Sequence, residues 1–117
     1  MNEIDRPTPN SARAVRAYPV APAPLLAAIG RAVEKLPRWT LKASEAGELR
    51  AIRTTRLLRF KDDVTARVSP ALEGARVELT SASRLGKGDL GQNPRNLEEL
   101  LRGLDREIGP SGPSYWA

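Results

Sequence analysis

The run Gly86-Lys87-Gly88-Asp89-Leu90-Gly91 carries the spacing GxGxxG, with which a strand-to-helix turn brings backbone N–H groups against a dinucleotide pyrophosphate. That chemistry also needs a second parallel strand about 20 residues downstream, bearing an acidic residue for the ribose. One helical pattern and a Gly/Pro/Ser tail are all that follow, so no nicotinamide cofactor is expected, nor any other cofactor. A weaker use of the run survives. N–H dipoles converging at a helix start can hold an anion where glycines let the backbone close around it. Arg84, Lys87 and Arg95 would add positive charge, and Gly86, Gly88, Asp89, Gly91 and Asn93 complete this candidate ligand- or anion-binding loop. Asp89 weighs against it, because it can cap the helix or pair with Arg84 or Arg95 and so satisfy the loop internally. A structural turn is the favoured reading of these glycines.

The other reactive side chains point away from catalysis. The chain has no histidine and no cysteine, which removes the usual base near neutral pH, thiolate chemistry, disulfides and zinc–thiolate sites. Asp62 and Asp63 are the one carboxylate pair at a strand end. Neighbouring strand residues point oppositely, so the two do not readily share a metal or a proton, and a turn or salt-bridge role is expected. Ser81-Ala82-Ser83 lacks an imidazole activator. No catalytic residue and no metal ligand is assigned. Arg50, Arg53, Arg56 and Arg59 recur every third residue, which on a strand divides them between faces rather than forming one basic stripe.

Length, composition and charge set the frame for those residues. At 117 residues, 40 % hydrophobic and 28 % charged, the chain is sized for one globular domain. Its net charge is +5, and residues 21–60 hold the whole surplus with eight basic and three acidic side chains. No continuous apolar run reaches the length of a membrane-spanning helix, and the acidic start makes a poor secretory signal, so a cytoplasmic protein is expected.

The periodicities predict an α+β fold: a helix, about four antiparallel strands, then a long C-terminal helix packed on the sheet. Residues 1–17 read as a loose N-terminal arm, 18–108 as a single domain and 109–117 as a flexible tail. Pro22 and Pro24 suit the first turn of a helix carrying Leu25, Ile29, Val33 and Leu36, ended by Pro37. Strands are expected around Trp39–Leu41, from Leu49 towards Phe60 with a bulge or break near 53–57, over Val64–Val68 and over Ala75–Ser81. Trp39 and Phe60 read as core. Asn93 is the expected cap of the second helix, with Pro94 at its first position and Leu97, Leu100, Leu101, Leu104 and Ile108 as its stripe.

The residues Phe60-Lys61-Asp62-Asp63-Val64 and the run Ser81 to Arg95 resemble domain-of-unknown-function family 1499. The resemblance lies in a strand with paired aspartates followed by S-x-S-R-x-G-x-x-D-x-G-x-N-x-x-R. Ser81, Ser83, Arg84, Gly86, Asp89, Gly91 and Asn93 stand in register with it, while Arg95 falls one place before the pattern's arginine. The similarity spans residues 18–108 and implies no activity. It does imply that the Arg84–Asn93 loop matters, for folding or for binding.

Three functional classes remain. The leading one is a non-enzymatic accessory domain that binds a partner or a ligand, with a helix-grip-like apolar pocket between sheet and C-terminal helix. The second is recognition of an anion, a phospholipid head group or a nucleic-acid phosphate, by the Arg84–Arg95 loop. The third, a histidine-free enzyme, is the least favoured. The expected partner is accordingly a small apolar ligand, an anionic ligand or another protein.

Overall fold

The computed structural model describes residues 4–56, 58–84, 89 and 91–109. Among these residues the order is β1 (Ile4–Asp5), β2 (Ser11–Tyr18), α1 (Pro22–Lys35), β3 (Trp39–Glu45), β4 (Glu48–Thr54), β5 (Lys61–Ala71), β6 (Gly74–Ser83) and α2 (Gln92–Ile108). All pairings are antiparallel, in a six-stranded sheet ordered β1-β2-β6-β5-β4-β3. The expected α+β architecture with a C-terminal helix on the sheet is present, but six strands replace four.

The two additional strands come from the segment read as a loose arm. β2 pairs along its whole length with β6, from Ser11 opposite Ala82 to Tyr18 opposite Ala75, and so lies inside the sheet. Of its inward positions, Ala12, Ala14 and Tyr18 are buried, and Arg16 reaches Asp105 of α2. Alanine has little β-propensity of its own, so this strand owes its conformation to its partner and to the helix above it. Residues 110–117 of the expected tail lie outside the described residues.

Period-two alternation sorts the sheet into two faces. Ala12, Ala14, Leu49, Ala51, Val64, Ala66, Ala75, Val77 and Leu79 are buried on one face, and both helices pack there. α2 lies over β1, β2 and β6, while α1 reaches across β3 to β6 and packs against α2. Leu25, Ile29 and Val33 of α1 meet Leu97, Leu100, Leu101 and Leu104 of α2 in one core, each of them shut off from solvent. The many alanines on the sheet let these leucines approach the backbone closely, as native packing density requires.

The break expected near residues 53–57 is present, since β4 ends at Thr54 and β5 begins at Lys61, while the bulge lies elsewhere, in β3 between Leu41 and Ala43. A bulge in an edge strand, with Lys42 at it, discourages pairing with another sheet. Two local expectations are corrected. Phe60 is exposed because β4 has ended before it, whereas Trp39 is core. The cap of α2 is Gly91, in the left-handed region at φ 79°, and not Asn93, which sits inside the helix.

Two turns are set by backbone conformation. Ala46 and Gly47 both have positive φ, 53° and 78°, which suits a two-residue type I′ hairpin between paired Glu45 and Glu48. At Gly74, with φ 153°, a Cβ would stand 2.0 Å from the Tyr18 carbonyl oxygen. Only glycine lets the end of β2 cross there.

Candidate functional site

The apolar stripe of α2 changes character at its N-terminal end. One turn before Leu97 and Leu100, the same face presents Asn93 and Asn96, both fully buried. Beneath them the inner face of the sheet changes in step: Asp62 precedes Val64 on β5, and Ser81 and Ser83 follow Leu79 on β6. Polar residues of helix and sheet therefore meet inside the protein. Such groups are tolerated there only when their hydrogen bonds are made.

They are made to one another. Ser81 Oγ donates to Asn93 Oδ1 at 2.6 Å, and Ser83 Oγ donates to Asp62 Oδ1 at 3.0 Å. Asn96 Nδ2 donates to Asp62 Oδ2 at 2.8 Å and to Ser81 Oγ at 3.1 Å, while its Oδ1 accepts from Gln92 Nε2 at 2.7 Å. Asn93 Nδ2 lies 2.7 Å from Asp89 Oδ2, 2.7 Å from the Asn10 carbonyl oxygen and 2.9 Å from Ser83 Oγ. Both oxygens of Asp62 thus accept a bond, and both serine hydroxyls have a settled acceptor.

Asp89 closes the start of α2. Its Oδ1 accepts from the Gly91 N–H at 2.8 Å and from Arg6 at 2.7 Å, and its Oδ2 accepts from the Asn93 N–H at 3.0 Å. Burial pushes this carboxyl up. The bonds from the Asn93 backbone, Arg6, the Gly91 backbone and the Asn93 side chain outweigh that effect and hold it below its ordinary value. An anion seated on these N–H groups would have to displace the protein's own carboxylate.

The remaining loop residues divide. Arg84 grips Asp63 with two bonds, 3.0 Å and 2.9 Å, and the carboxylate raises the guanidinium's pKa. Arg95 lies exposed on the first turn of α2, 3.3 Å from Gln92 Oε1. Gly86, Lys87 and Gly88 lie outside the described residues. Sequence reasoning missed Asp62, Asn96, Arg6 and Asn10 as members of this cluster. The signal for Asp62 was parity, since it shares the inward register of Val64 and Ala66, and for Asn96 its helical spacing from Asn93. No signal pointed to Arg6, whose contact spans 83 positions.

Among the described residues, the opposite face of the sheet carries no helix. Val15, Ile52, Thr65 and Thr80 stand half-buried on it among charged side chains. Arg13 binds Glu78, Glu48 lies between Arg50 and Arg67, and Arg84 binds Asp63. The bond from Arg13 holds the Glu78 carboxyl below its usual range, and the charges of Arg76 and Arg67 add to the effect. Thr65, Arg67, Glu78 and Thr80 line a trough of about 140 Å³ on this face. Among the described residues, no cluster of three or more acidic side chains is placed to hold a metal, and no helix is long and apolar enough to cross a membrane.

Known proteins share this fold. CalU16 from Micromonospora echinospora superposes with a TM-score of 0.56 at 16 % identity, covering 98 % of this chain and 90 % of that one. Protein CV1439 from Chromobacterium violaceum does so at 0.54 and 14 %, covering 87 % and 99 %. A Rhodobacter sphaeroides protein gives 0.52 and 15 %, covering 92 % and 98 %. At these identities the likeness concerns the fold alone. No curated protein matches the sequence. The family model described as "Protein of unknown function (DUF1499)" matches residues 3–104, from β1 to the last leucine of the α2 stripe, and the chain belongs to that family.

Proposed function

We infer that this chain is a non-enzymatic accessory domain that engages a protein partner through the helix-free face of its sheet. The observation that carries this reading is the placement of α1 and α2 on one side, so that among the described residues no helix covers the other face of the six-stranded sheet. An antiparallel sheet can face water, so openness by itself is not enough. This face also holds the half-buried apolar side chains Val15 and Ile52, and arginines and carboxylates of both signs around a threonine trough. Apolar contacts set among balanced polar ones are the composition of a protein–protein interface. Nucleic-acid surfaces are predominantly basic, with aromatics where single strands stack.

The other readings have less support. A helix-grip-like pocket would place an apolar ligand between sheet and α2, where Leu97, Leu100, Leu101 and Leu104 already pack without exposure. Anion recognition by the Arg84–Arg95 loop competes with Asp89 for the helix N–H groups and with Asp63 for Arg84. Catalysis by a serine nucleophile would need a free hydroxyl, and those of Ser81 and Ser83 are engaged.

A photo-crosslinking side chain tests the proposal by position. Installed at Thr65 or Thr80, it should give one discrete heavier adduct in the native host cell. Installed at Glu34 or Arg102, exposed on the two helices, it should not. Adducts from the helix positions alone, or none at the sheet positions, would refute the reading.

A further inference from the structure

The segment joining β4 to β5 reads Arg56-Leu57-Leu58-Arg59-Phe60-Lys61, with apolar side chains set between cations. Leu58 is 69 % exposed and Phe60 45 % exposed. Leu72, 98 % exposed, stands singly on the β5–β6 turn, whereas Leu58 and Phe60 lie close together on one loop among cations, the pairing that points to a contact surface. The base of the loop is held by hydrogen bonds. Thr55 and Phe60 close its base with two bonds, the Thr55 N–H to the Phe60 carbonyl and the Phe60 N–H to Thr55 Oγ1, both 2.8 Å. Lys61 is fixed in turn by the Arg84 N–H on its carbonyl at 3.1 Å. Arg59 takes the left-handed region, at φ 56°, to complete the turn.

The charges beside these side chains are all of one sign. Arg56, Arg59 and Lys61 are exposed, and so is Arg38, whose carbonyl accepts the Thr54 N–H at 2.9 Å. Among the described residues none of the four takes part in an ion pair. On the open sheet face Arg13, Arg67 and Arg84 are matched by Glu78, Glu48 and Asp63. Exposed cations around protruding apolar side chains suit a surface that offers anions and hydrocarbon together.

We propose that the 56–61 loop, with Arg38, docks the domain reversibly on an anionic lipid surface, Leu58 and Phe60 entering the interface and the cations meeting the head groups. Peripheral attachment of this kind sums apolar insertion with attraction of basic residues to the negative leaflet. The geometry favours lipid over a folded partner, because the apolar groups protrude from a pinned turn instead of lining a groove. Nucleic acid is less favoured, because of the two protruding side chains only Phe60 offers a stacking surface and the more exposed Leu58 offers none. The site adjoins the open sheet face at Lys61, which begins β5, and touches the glycine-rich loop only through the Arg84 N–H.

Flotation of the full chain with vesicles tests it. Binding is expected to vesicles containing about one-third phosphatidylglycerol and not to pure phosphatidylcholine, falling steeply with added salt. Each cation near the surface contributes roughly fivefold, so Arg56→Gln with Arg59→Gln should weaken binding about 20-fold or more. Leu58→Ser with Phe60→Ser, which keeps every charge and changes only exposed side chains, should abolish it while the circular dichroism spectrum stays unchanged. Equal binding to both vesicles, no binding to either, or indifference to the double serine variant would overturn the proposal. Equally tight binding to a short single-stranded oligonucleotide, unaffected by those serines, would also overturn it in favour of phosphate recognition.

Discussion

Removing Asn96 probes the buried cluster most directly. Its side chain is fully buried and donates to Asp62 Oδ2 and Ser81 Oγ while accepting from Gln92. Asn96→Ala leaves one oxygen of a carboxylate that is only 1 % exposed without its donor. A hydrogen bond to a charged group contributes roughly 1.5–3 kcal/mol, and stranding a buried partner costs about as much again at the upper end. The expected loss is therefore about 3 kcal/mol, out of a total near 5–15 kcal/mol for a domain of this size. Urea unfolding followed by far-UV circular dichroism reads it as a lower midpoint at unchanged slope, with Tm lower by about 10 °C. Asp62→Ala should cost a similar amount. The double variant should lose less than the sum by about 1 kcal/mol or more, because neither partner is then stranded. Single losses below about 0.5 kcal/mol, or strict additivity, would refute the view that these groups hold α2 on the sheet. A rise in stability would do so more sharply, since a strained cluster kept for ligand binding is often stabilised by truncation.

Other outcomes follow from the same geometry. Gly74→Ala puts a Cβ 2.0 Å from the Tyr18 carbonyl oxygen, so a loss above about 3 kcal/mol or failure to fold is expected on thermal unfolding. Gly30→Ala should be neutral or stabilising by up to about 1 kcal/mol, because its Cβ meets Leu49 Cδ1 at an ordinary 3.7 Å. Ala46→Asn should raise stability by a few tenths of a kcal/mol, as asparagine tolerates the left-handed conformation at φ 53° better. The depressed Asp89 carboxyl is ionised to lower pH in the folded chain than in the unfolded one. Its contribution is fully present above its ordinary value of about 3.9 and is lost as pH falls through the lower folded value. Urea midpoints measured towards pH 2 should therefore fall less steeply in Asp89→Asn than in the parent, and equal slopes would contradict the assignment.

Much of this architecture was legible from local pattern. The proline-opened first helix, the alternating strands around Val64 and Val77, and the leucine stripe of α2 each declare a period that a chain can express without its neighbours. Alternation also places Asp62 and Asp63 on opposite faces. The structure has Asp62 inside and Asp63 outside with Arg84. The spacing of Asn93 and Asn96 from Leu97 and Leu100 was equally visible. Asparagine before proline suits a helix start, but at Asn93 that local rule loses to a buried partner on the sheet.

Residue order by itself determined that helices and strands form, where most of them turn, and which family the chain joins. The tertiary structure alone decided that Ser11–Tyr18 is an interior strand, since an alanine–arginine alternation holds too little apolar area to be extended until β6 and α2 cover it. It alone decided that Asp62, Ser81, Asn93 and Asn96 satisfy one another, because hydrogen bonds between residues up to 34 positions apart have no periodicity to announce them. It also decided that both helices take the same side and that Phe60 stays in solvent. Local periods are written into consecutive residues, whereas the pairing of distant groups depends on which surfaces the closing chain brings together.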